Sequence, residues 1–317
     1  MPEPGLGDVH VDTALTDVSI GYFQSLGDTR RIATSVFPIV PSSKQSNKYH
    51  VYTKSELLRT VAQKRAPNSE AAVRTYKLSQ GNFFCNVVSV AVDVSEQVRA
   101  NADPVLDPED DAARLTVDDV TLKMEKDFAT NVLSTGVWGT ELASTASFSS
   151  TGLFPKIATA HKTVLQNTGL RANTLLLTAD GWYDGLMNNA DIIARMPTDQ
   201  PQFVTEEFIA KTFMVDKVFI MDSVETTSPE GSTADTYAFA KTNKAALLHV
   251  ARNPGPRTPS AGYTFTWTGL VGAGREGIRT KRMDMPWKDA LPRVETDAAY
   301  DFKVTGTDLG YLFTAPV

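Results

Sequence analysis

Few residues in this sequence offer familiar chemistry. The four histidines, His10, His50, His161 and His249, lie far apart, and none has the H-x-x-x-H spacing that sets two imidazoles on one helix face for a metal. Each reads as a surface or packing histidine. The one cysteine, Cys85, sits in the strand-like run Phe83-Phe84-Cys85-Asn86-Val87-Val88 and reads as a small buried hydrophobe. A single cysteine also excludes an intramolecular disulfide and a cysteine-based zinc site. The G-x-S-x-G nucleophile elbow and the P-loop are both absent. Gly272-Ala273-Gly274-Arg275-Glu276-Gly277 does match G-x-G-x-x-G. A dinucleotide site needs a strand before that string and a helix after it, whose N-terminus meets the pyrophosphate. Tyr263-Thr264-Phe265-Thr266-Trp267 supplies the strand, but Ile278-Arg279-Thr280-Lys281-Arg282-Met283 reads as a second strand, so the string is expected to be a hairpin tip. The acids Asp107, Glu109, Asp110, Asp111, Asp118 and Asp119 could suit a hard cation. They lack the EF-hand register and read better as the enriched first turns of a helix. No catalytic residue, metal ligand or cofactor is expected.

The elements around these residues are more informative. The balance of 42% hydrophobic and 21% charged residues is that of a soluble globular chain, with room for one large domain or two smaller ones. No apolar run approaches the ~20 residues a membrane helix needs, and Met1-Pro2-Glu3-Pro4-Gly5 does not start a signal peptide. A net charge of −6 argues against a protein that coats nucleic acid. Residues 1–43 read as an arm, with one or two helical turns over residues 12–24 and an extended stretch at Phe37-Pro38-Ile39-Val40-Pro41.

Residues 44–80 carry eight basic residues against two acidic ones, a net +6. Alternation at Tyr49-His50-Val51-Tyr52-Thr53 predicts a strand, Ala66-Pro67-Asn68-Ser69 a polar tip, and residues 73–79 a returning limb. Two limbs of ~15 residues would reach roughly 50 Å. Such a hairpin cannot bury itself and must lie on another surface. Residues 83–94 read as one apolar strand. A long helix then starts at Asp107 as N-cap with Pro108 at the first position, and Ala113, Val117, Val120, Met124, Phe128 and Val132 form one apolar stripe to about residue 135. That rod is roughly 40 Å long. Residues 96–127 hold ten acids and four bases, a net −6 opposite to the hairpin's +6.

The Ser/Thr/Ala-rich stretch 140–152 marks a loop and a boundary. Residues 153–260 read as a compact α+β unit. It has a helix face at Ile157, Ala160, Val164 and Leu165 stopped by Gly169, a strand over 173–178 and a short helix capped by Asp180. A further helix covers 205–213, and strands cover 218–221, 237–240 and 245–250. Residues 261–317 are strand-rich, and no internal repeat is visible.

Several strings, in order along nearly the whole chain, resemble a major capsid protein of a tailed bacteriophage. They are Val36-Phe37-Pro38-Ile39-Val40-Pro41, Ser43-Lys44-Gln45-Ser46-Asn47-Lys48-Tyr49, Val94-Ser95-Glu96-Gln97-Val98-Arg99-Ala100-Asn101 and Thr135-Gly136-Val137-Trp138-Gly139-Thr140. Near the end come Thr258-Pro259-Ser260-Ala261-Gly262-Tyr263-Thr264-Phe265-Thr266-Trp267 and Asp308-Leu309-Gly310-Tyr311-Leu312-Phe313. The resemblance implies an α+β fold of the Hong Kong 97 type. By position, residues 1–43 would be its N-terminal arm and 44–82 its extended E-loop. Residues 83–152 and 262–298 would be the peripheral domain with a spine helix at about 108–135, and 153–261 with 299–317 the axial domain.

The implied function is structural. Copies of the chain would assemble through pentamers and hexamers into an icosahedral shell around a double-stranded DNA genome, without sequence-specific binding. The implied setting is the virion, with assembly in the host cytoplasm and no membrane. Separate scaffolding and portal proteins are the implied partners, with decoration proteins a further possibility; the short arm leaves little room for a fused scaffold, so either scaffolding is a separate protein or this is a processed form. Some relatives cross-link lysine to asparagine, but no motif here identifies such a pair. An encapsulin-like nanocompartment shell is the alternative, and a soluble metal-dependent enzyme a remote one. The opposed charges add a specific expectation: Arg59, Lys64, Arg65, Arg74 and Lys77 of one copy face Asp110, Asp111, Asp118 and Asp119 of the next.

Overall fold

The structure is a computed structural model. It describes residues 32–52, 58–75, 78–101, 107–142, 148–149, 152–196, 204–229, 233–255, 258–285 and 291–316. The expected helical turns over 12–24 lie outside these residues.

Two five-stranded sheets share one long helix. The first sheet is built on β13 (Leu291–Val304), which pairs antiparallel with β11 (Gly262–Trp267), β12 (Ile278–Met285) and β4 (Asn86–Asp93). A further strand, β1 (Ile39–Ser42), runs parallel to β11. Tyr300 stands opposite both Thr266 and Asn86, so β4 takes one side of β13. On the other side β11 and β12 follow each other end to end, with Ile278 opposite Ala298. The glycine-rich string is therefore not a hairpin tip. It lies in an excursion, residues 268–277, that leaves the edge of β13 and returns to it. Gly277 makes the return with φ 72, where its amide nitrogen bonds the Gly274 carbonyl and its own carbonyl accepts from Ala299. Strand β12 follows, and no helix, so the pyrophosphate geometry is missing.

The expected strand over 83–94 breaks at Cys85 into β3 (Leu78–Phe84) and β4. The Cys85 amide turns instead to the Gln45 carbonyl (2.9 Å), and Gln45 Nε2 donates back to the Cys85 carbonyl (3.0 Å). This crossing hands the chain from a two-stranded hairpin to the sheet. Periodicity could not reveal it, because apolar residues continue on both sides of the break.

The second sheet has the order β5 (Glu141–Leu142), β14 (Gly310–Phe313), β10 (Ala245–Leu248), β6 (Thr174–Thr178), β7 (Lys217–Met221). All residues of β14, β10 and β6 are buried, as strands covered on both faces must be. One face packs on the helix over Leu153–Thr168 through Ile157, Ala160 and Val164, with Ile209 and Phe213 beside them. That helix ends on Gly169 at φ 75, as its glycine predicts, while Leu165 faces solvent. The helix Glu206–Thr212 is capped by Thr205. Asp180, the expected cap of a third helix, is itself helical. It leads into a π-helical turn (Gly181–Leu186), and its carboxylate accepts from the Asn243 amide (3.3 Å) instead of capping. The hairpin of β8 (Val224–Thr226) and β9 (Tyr237–Phe239) pairs with neither sheet.

Between the sheets runs the long helix, Pro108–Val132, named α3 after the short helices α1 (Ile32–Val36) and α2 (Glu96–Asn101). Asp107 caps it, accepting from the Glu109 amide at 3.0 Å, with Pro108 at the first position. Its 25 residues make a rod of about 37 Å. The expected stripe is buried throughout, and Thr116, Thr121 and Glu125 widen it. Thr116, Thr296 and Thr280 form a buried hydroxyl chain (2.8 and 3.0 Å) that sets the register of helix on sheet. Glu125 accepts from the Ala33 amide (2.9 Å) and so holds α1. One apolar cluster joins α1, α3, Tyr300 and Phe302 to Leu176, Ala246 and Leu312 of the second sheet.

Strings far apart in sequence meet here. The Phe37 ring lies on Gly262, where an added Cβ would stand 2.2 Å from it, and Thr264 Oγ1 donates to the Phe37 carbonyl (2.9 Å). Trp138 covers Gly310 in the same way, again at 2.2 Å, while its Nε1 closes the end of α3 on the Val132 carbonyl (2.8 Å). Trp267 Nε1 donates to the Ser43 carbonyl (3.2 Å).

Candidate functional site: a protruding basic segment and an acidic helix face

The basic segment grows from a fixed root. Strands β2 (Ser46–Tyr52) and β3 pair antiparallel from Ser46↔Phe84 to Tyr52↔Leu78. The root packs on the first sheet through aromatic rings: Phe83 stacks on Phe265 (4.1 Å, 1°), and Tyr49 on the same ring (5.6 Å, 23°). Gly81 allows this, since a Cβ there would stand 2.4 Å from the Tyr49 ring. Cys85 closes the cluster with Sγ 3.6 Å from the Phe265 carbonyl. Burial, then the nearby Asp301 carboxylate, push its thiol up to about 12, so it is not a nucleophile at neutral pH. The sequence shows these rings but not which sheet face receives them.

Beyond the root, residues 58–75 form no strand, so the described part of the hairpin is paired only near its base, not over two long limbs. All of these residues except Val61 and Ser69 are at least largely exposed. The tip turns as expected at Ala66-Pro67-Asn68-Ser69, with a bond from the Ser69 amide to the Ala66 carbonyl (3.2 Å) and Asn68 at φ 64. Arg59, Lys64, Arg65 and Arg74 are exposed on this segment, and Arg65 Nε donates to the Ser69 carbonyl. Lys77 lies outside the described residues.

The acids of α3 differ in their surroundings. Glu109 pairs with Arg99 (3.3 Å) and Arg282 (2.9 Å), and Asp110 with Arg114 (2.9 Å). Asp127 pairs with Lys123 (2.8 Å) and accepts from the Tyr300 hydroxyl (2.9 Å). These acids serve the subunit itself. Asp111 and Asp119 are exposed and Asp118 is half-buried. With the exposed Leu115 they recur at i, i+4, i+7 and i+8, which places them on one outward face. Sequence reasoning passed over Leu115 because it lies off the core stripe.

The remaining chemical candidates serve packing. His161 Nε2 meets the Phe213 carbonyl at 2.8 Å, and burial above all lowers its pKa. His249 Nδ1 meets the Arg171 carbonyl at 2.7 Å. Among the described residues no group of three His, Cys, Asp or Glu side chains is placed to hold a metal, and no helix is long and apolar enough to cross a membrane.

No family profile and no curated protein matches the sequence. Solved structures do. A phage-related protein from Bordetella bronchiseptica RB50 is 17% identical and superposes with a TM-score of 0.70 over 97% of this chain and 98% of its own. The fold is the Hong Kong 97-type capsid fold. The capsid of Cyanophage P-SCSP1u shares this fold at 10% identity and a TM-score of 0.56, over 88% and 86% of the two chains. So does the SrpI encapsulin of Synechococcus elongatus PCC 7942, at 13% identity and 0.52, over 92% and 89%.

Proposed function

We propose that this chain is the major capsid protein of a tailed bacteriophage. Its copies close through pentamers and hexamers into an icosahedral shell that encloses double-stranded DNA. The observation that carries the reading is the full-length likeness to a phage-related protein, with both chains covered almost end to end. In this reading the residues up to 43 are the arm, 44–82 the E-loop and α3 the spine. Residues 83–152 and 262–298 are the peripheral domain, with most of the first sheet, and 153–261 with 299–317 the axial domain, with most of the second. Scaffolding and portal proteins are separate partners, and the chain resides in the virion after assembly in the host cytoplasm. Each subunit presents non-identical surfaces that close into rings, and many weak contacts add up because each subunit makes several at once.

The likeness to an encapsulin supports a second reading, a nanocompartment shell that carries protein cargo. Electron microscopy of the purified chain tests assembly, and nucleic-acid content separates the two readings. Closed shells that co-purify with DNA are the expected result when the phage partners are co-expressed. A monomer or dimer unchanged by salt, crowding and those partners would overturn both.

In the assembled shell, Arg59, Lys64, Arg65, Arg74 and Lys77 of one subunit lie along the outward acidic face of a neighbour's spine. The exposed Asp111 and Asp119 are the principal acceptors, with the half-buried Asp118 beside them and Asp110 shared with Arg114. Each exposed pair contributes only ~0–1 kcal/mol, so the effect is collective and salt-sensitive. Reversal of Arg59, Lys64, Arg65 and Arg74 to Glu should abolish shell formation at low salt while leaving the thermal unfolding of the subunit unchanged. Assembly of the reversed chain with an ordinary salt dependence would remove this contact from the proposal.

A further inference from the structure

Strand β4 (Asn86–Asp93) pairs with β13 and with no other strand among the described residues, so it is an edge of the first sheet. The Val94 amide donates to the Pro292 carbonyl (3.1 Å), one step beyond the Asp93↔Arg293 pair. Bonded pairs alternate in an antiparallel ladder, so Val88, Val90 and Val92 turn their backbone groups to β13, and Val87, Ser89 and Ala91 turn theirs outward. These last three are exposed, and no backbone partner meets them among the described residues. Sheet edges are normally guarded by proline, by charge, by shortness or by a covering helix, because an open edge is a template for another strand. The other edges of this fold follow that rule. Strand β1 contains Pro41, β12 carries Arg279, Lys281, Arg282 and Asp284, β5 is two residues long, and β7 opens on Lys217 and lies beside α1. Strand β4 has no such guard from Asn86 to Val92. That run has no charge and no proline, and four of its seven residues are valine.

Backbone groups aimed outward in strand geometry call for an extended segment, and composition selects which one. The exposed residues 58–75 of a neighbouring copy carry Arg59, Lys64, Arg65, Glu70 and Arg74 with Pro67 among them, which suits an acidic helix face and not a neutral ladder. The β4 strand of a second copy meets each requirement. It is extended, neutral, equal in length and open on the matching edge. Antiparallel pairing about a two-fold axis makes the contact self-complementary. Residues directly opposite each other share a face, so the pairing centres on one residue of the strand. With Ser89 opposite Ser89, Val87 stands opposite Ala91 and Val88 opposite Val90. The ladder then spans Asn86–Val92, the uncharged run itself, and both Asp93 carboxylates fall outside it. A ladder centred on Val90 would instead bring Asp93 in opposite Val87. In the Ser89 register the bonded pairs are Val87↔Ala91 and Ser89↔Ser89, formed by the groups that already point outward.

We propose that two copies of this chain join edge to edge through β4, antiparallel and centred on Ser89. The second copy rests on the self-assembly in the shell reading. Cysteine cross-linking of the full chain, with the phage partners co-expressed, tests the register. In a mixture of Val87→Cys and Ala91→Cys chains the two positions stand about 5.5 Å apart, within disulfide reach, and should cross-link on oxidation. Either variant alone leaves its own cysteines four residues out of register, roughly 13 Å apart, and should not. Residue-resolved hydrogen exchange tests the bonds. Amides of Val87, Ser89 and Ala91 should exchange at least about tenfold more slowly in the associated protein than in the dissociated subunit, while those of Val88, Val90 and Val92 are protected in both. Ala91→Pro removes only an outward amide, and Ala91→Lys adds the guard that the strand lacks. Each should free the amides of Val87 and Ser89 and leave the β13 ladder protected. Closed shells in which Val87, Ser89 and Ala91 still exchange freely would overturn this proposal and leave the shell reading standing. Protection without the mixed cross-link would give the edge to a different segment, such as residues 58–75, and overturn it too. A cross-linked dimer that builds no shell would overturn the shell reading alone, and a chain that stays monomeric beside those partners would overturn both.

Discussion

Phe128→Ala should lower subunit stability by about 3–5 kcal/mol, the usual result of emptying a large aromatic site in a core that cannot collapse. Phe128 is fully buried. It meets Phe37 edge-to-face at 5.2 Å and Phe302 at 5.5 Å. The ring therefore joins three parts of the chain: the stretch leading out of α1, the long helix and the central strand of the first sheet. None of the three can move into the space without losing its own bonds, because Phe37 is seated on Gly262 and its carbonyl accepts from Thr264. Denaturant unfolding of the disassembled subunit reads the loss directly. Hydrogen exchange should report it first at β1, whose pairing with β11 begins two residues beyond Phe37. Phe128→Leu, which keeps most of the volume, should cost clearly less. Equal and small losses for both variants would mean that the helix is held by its hydroxyl chain and caps, not by this aromatic junction.

The helix carrying Phe128 was legible because three independent signals agree: a cap followed by proline, acids in the first turn and an unbroken apolar stripe. Agreement across levels is what makes a sequence specify one structure. The strands of the second sheet were legible for a similar reason, since runs such as Thr174-Leu175-Leu176-Leu177-Thr178 are apolar on both faces. What stayed hidden depends on partners remote in sequence. Nothing local says that the strand-like run through Cys85 must change sheets there, because the reason is the Gln45 backbone and side chain. Nothing local says that β11 and β12 lie end to end, because both are defined by β13. Asp180 looked like a cap, but the Asn243 amide took its carboxylate.

The charged surfaces were legible as composition and not as geometry. The +6 and −6 segments are plain in the sequence, but Asp107, Glu109 and Asp110 are among the acids engaged within the subunit. Glu109 is engaged by Arg282 from β12, more than 170 residues away, and only the fold reveals it. The outward acidic face is narrower than charge counting suggests: Asp111 and Asp119 are exposed around Leu115, and Asp118 is half-buried. In the proposed contact, an exposed apolar residue flanked by carboxylates would select for a basic segment that also carries apolar groups. The exposed Leu58 and Val73 give residues 58–75 that character.

Asp297→Asn should destabilise the subunit by about 3 kcal/mol at neutral pH, because removing one member of a buried ionic group strands the others. Asp297 is 2% exposed on the face of β13 turned away from α3. It accepts from Ser89 (2.6 Å) and Arg279 Nε (2.8 Å), and Lys281 stands 3.3 Å away. Burial alone would raise its pKa. The Ser89 and Arg279 hydrogen bonds, with the Lys281 and Arg279 charges, outweigh burial and hold the carboxyl below its usual value. The sign of the pH dependence follows. A carboxylate whose folded pKa lies below the unfolded value of about 3.9 stabilises the fold fully above that value and loses its effect as pH falls through the folded pKa. The gap in stability between the parent chain and Asp297→Asn should therefore be constant from about pH 5 to 7 and shrink steadily below about pH 4. Urea unfolding across that range measures it. A gap that persists unchanged at the acid end would show that Asp297 acts through shape and hydrogen bonding, which asparagine partly keeps, and not through its charge. The network ties β4, β12 and β13 together on the face turned away from α3. Its loss in acid should accordingly loosen the first sheet before the second, whose strands are held by apolar burial with no ionic network of this kind among the described residues.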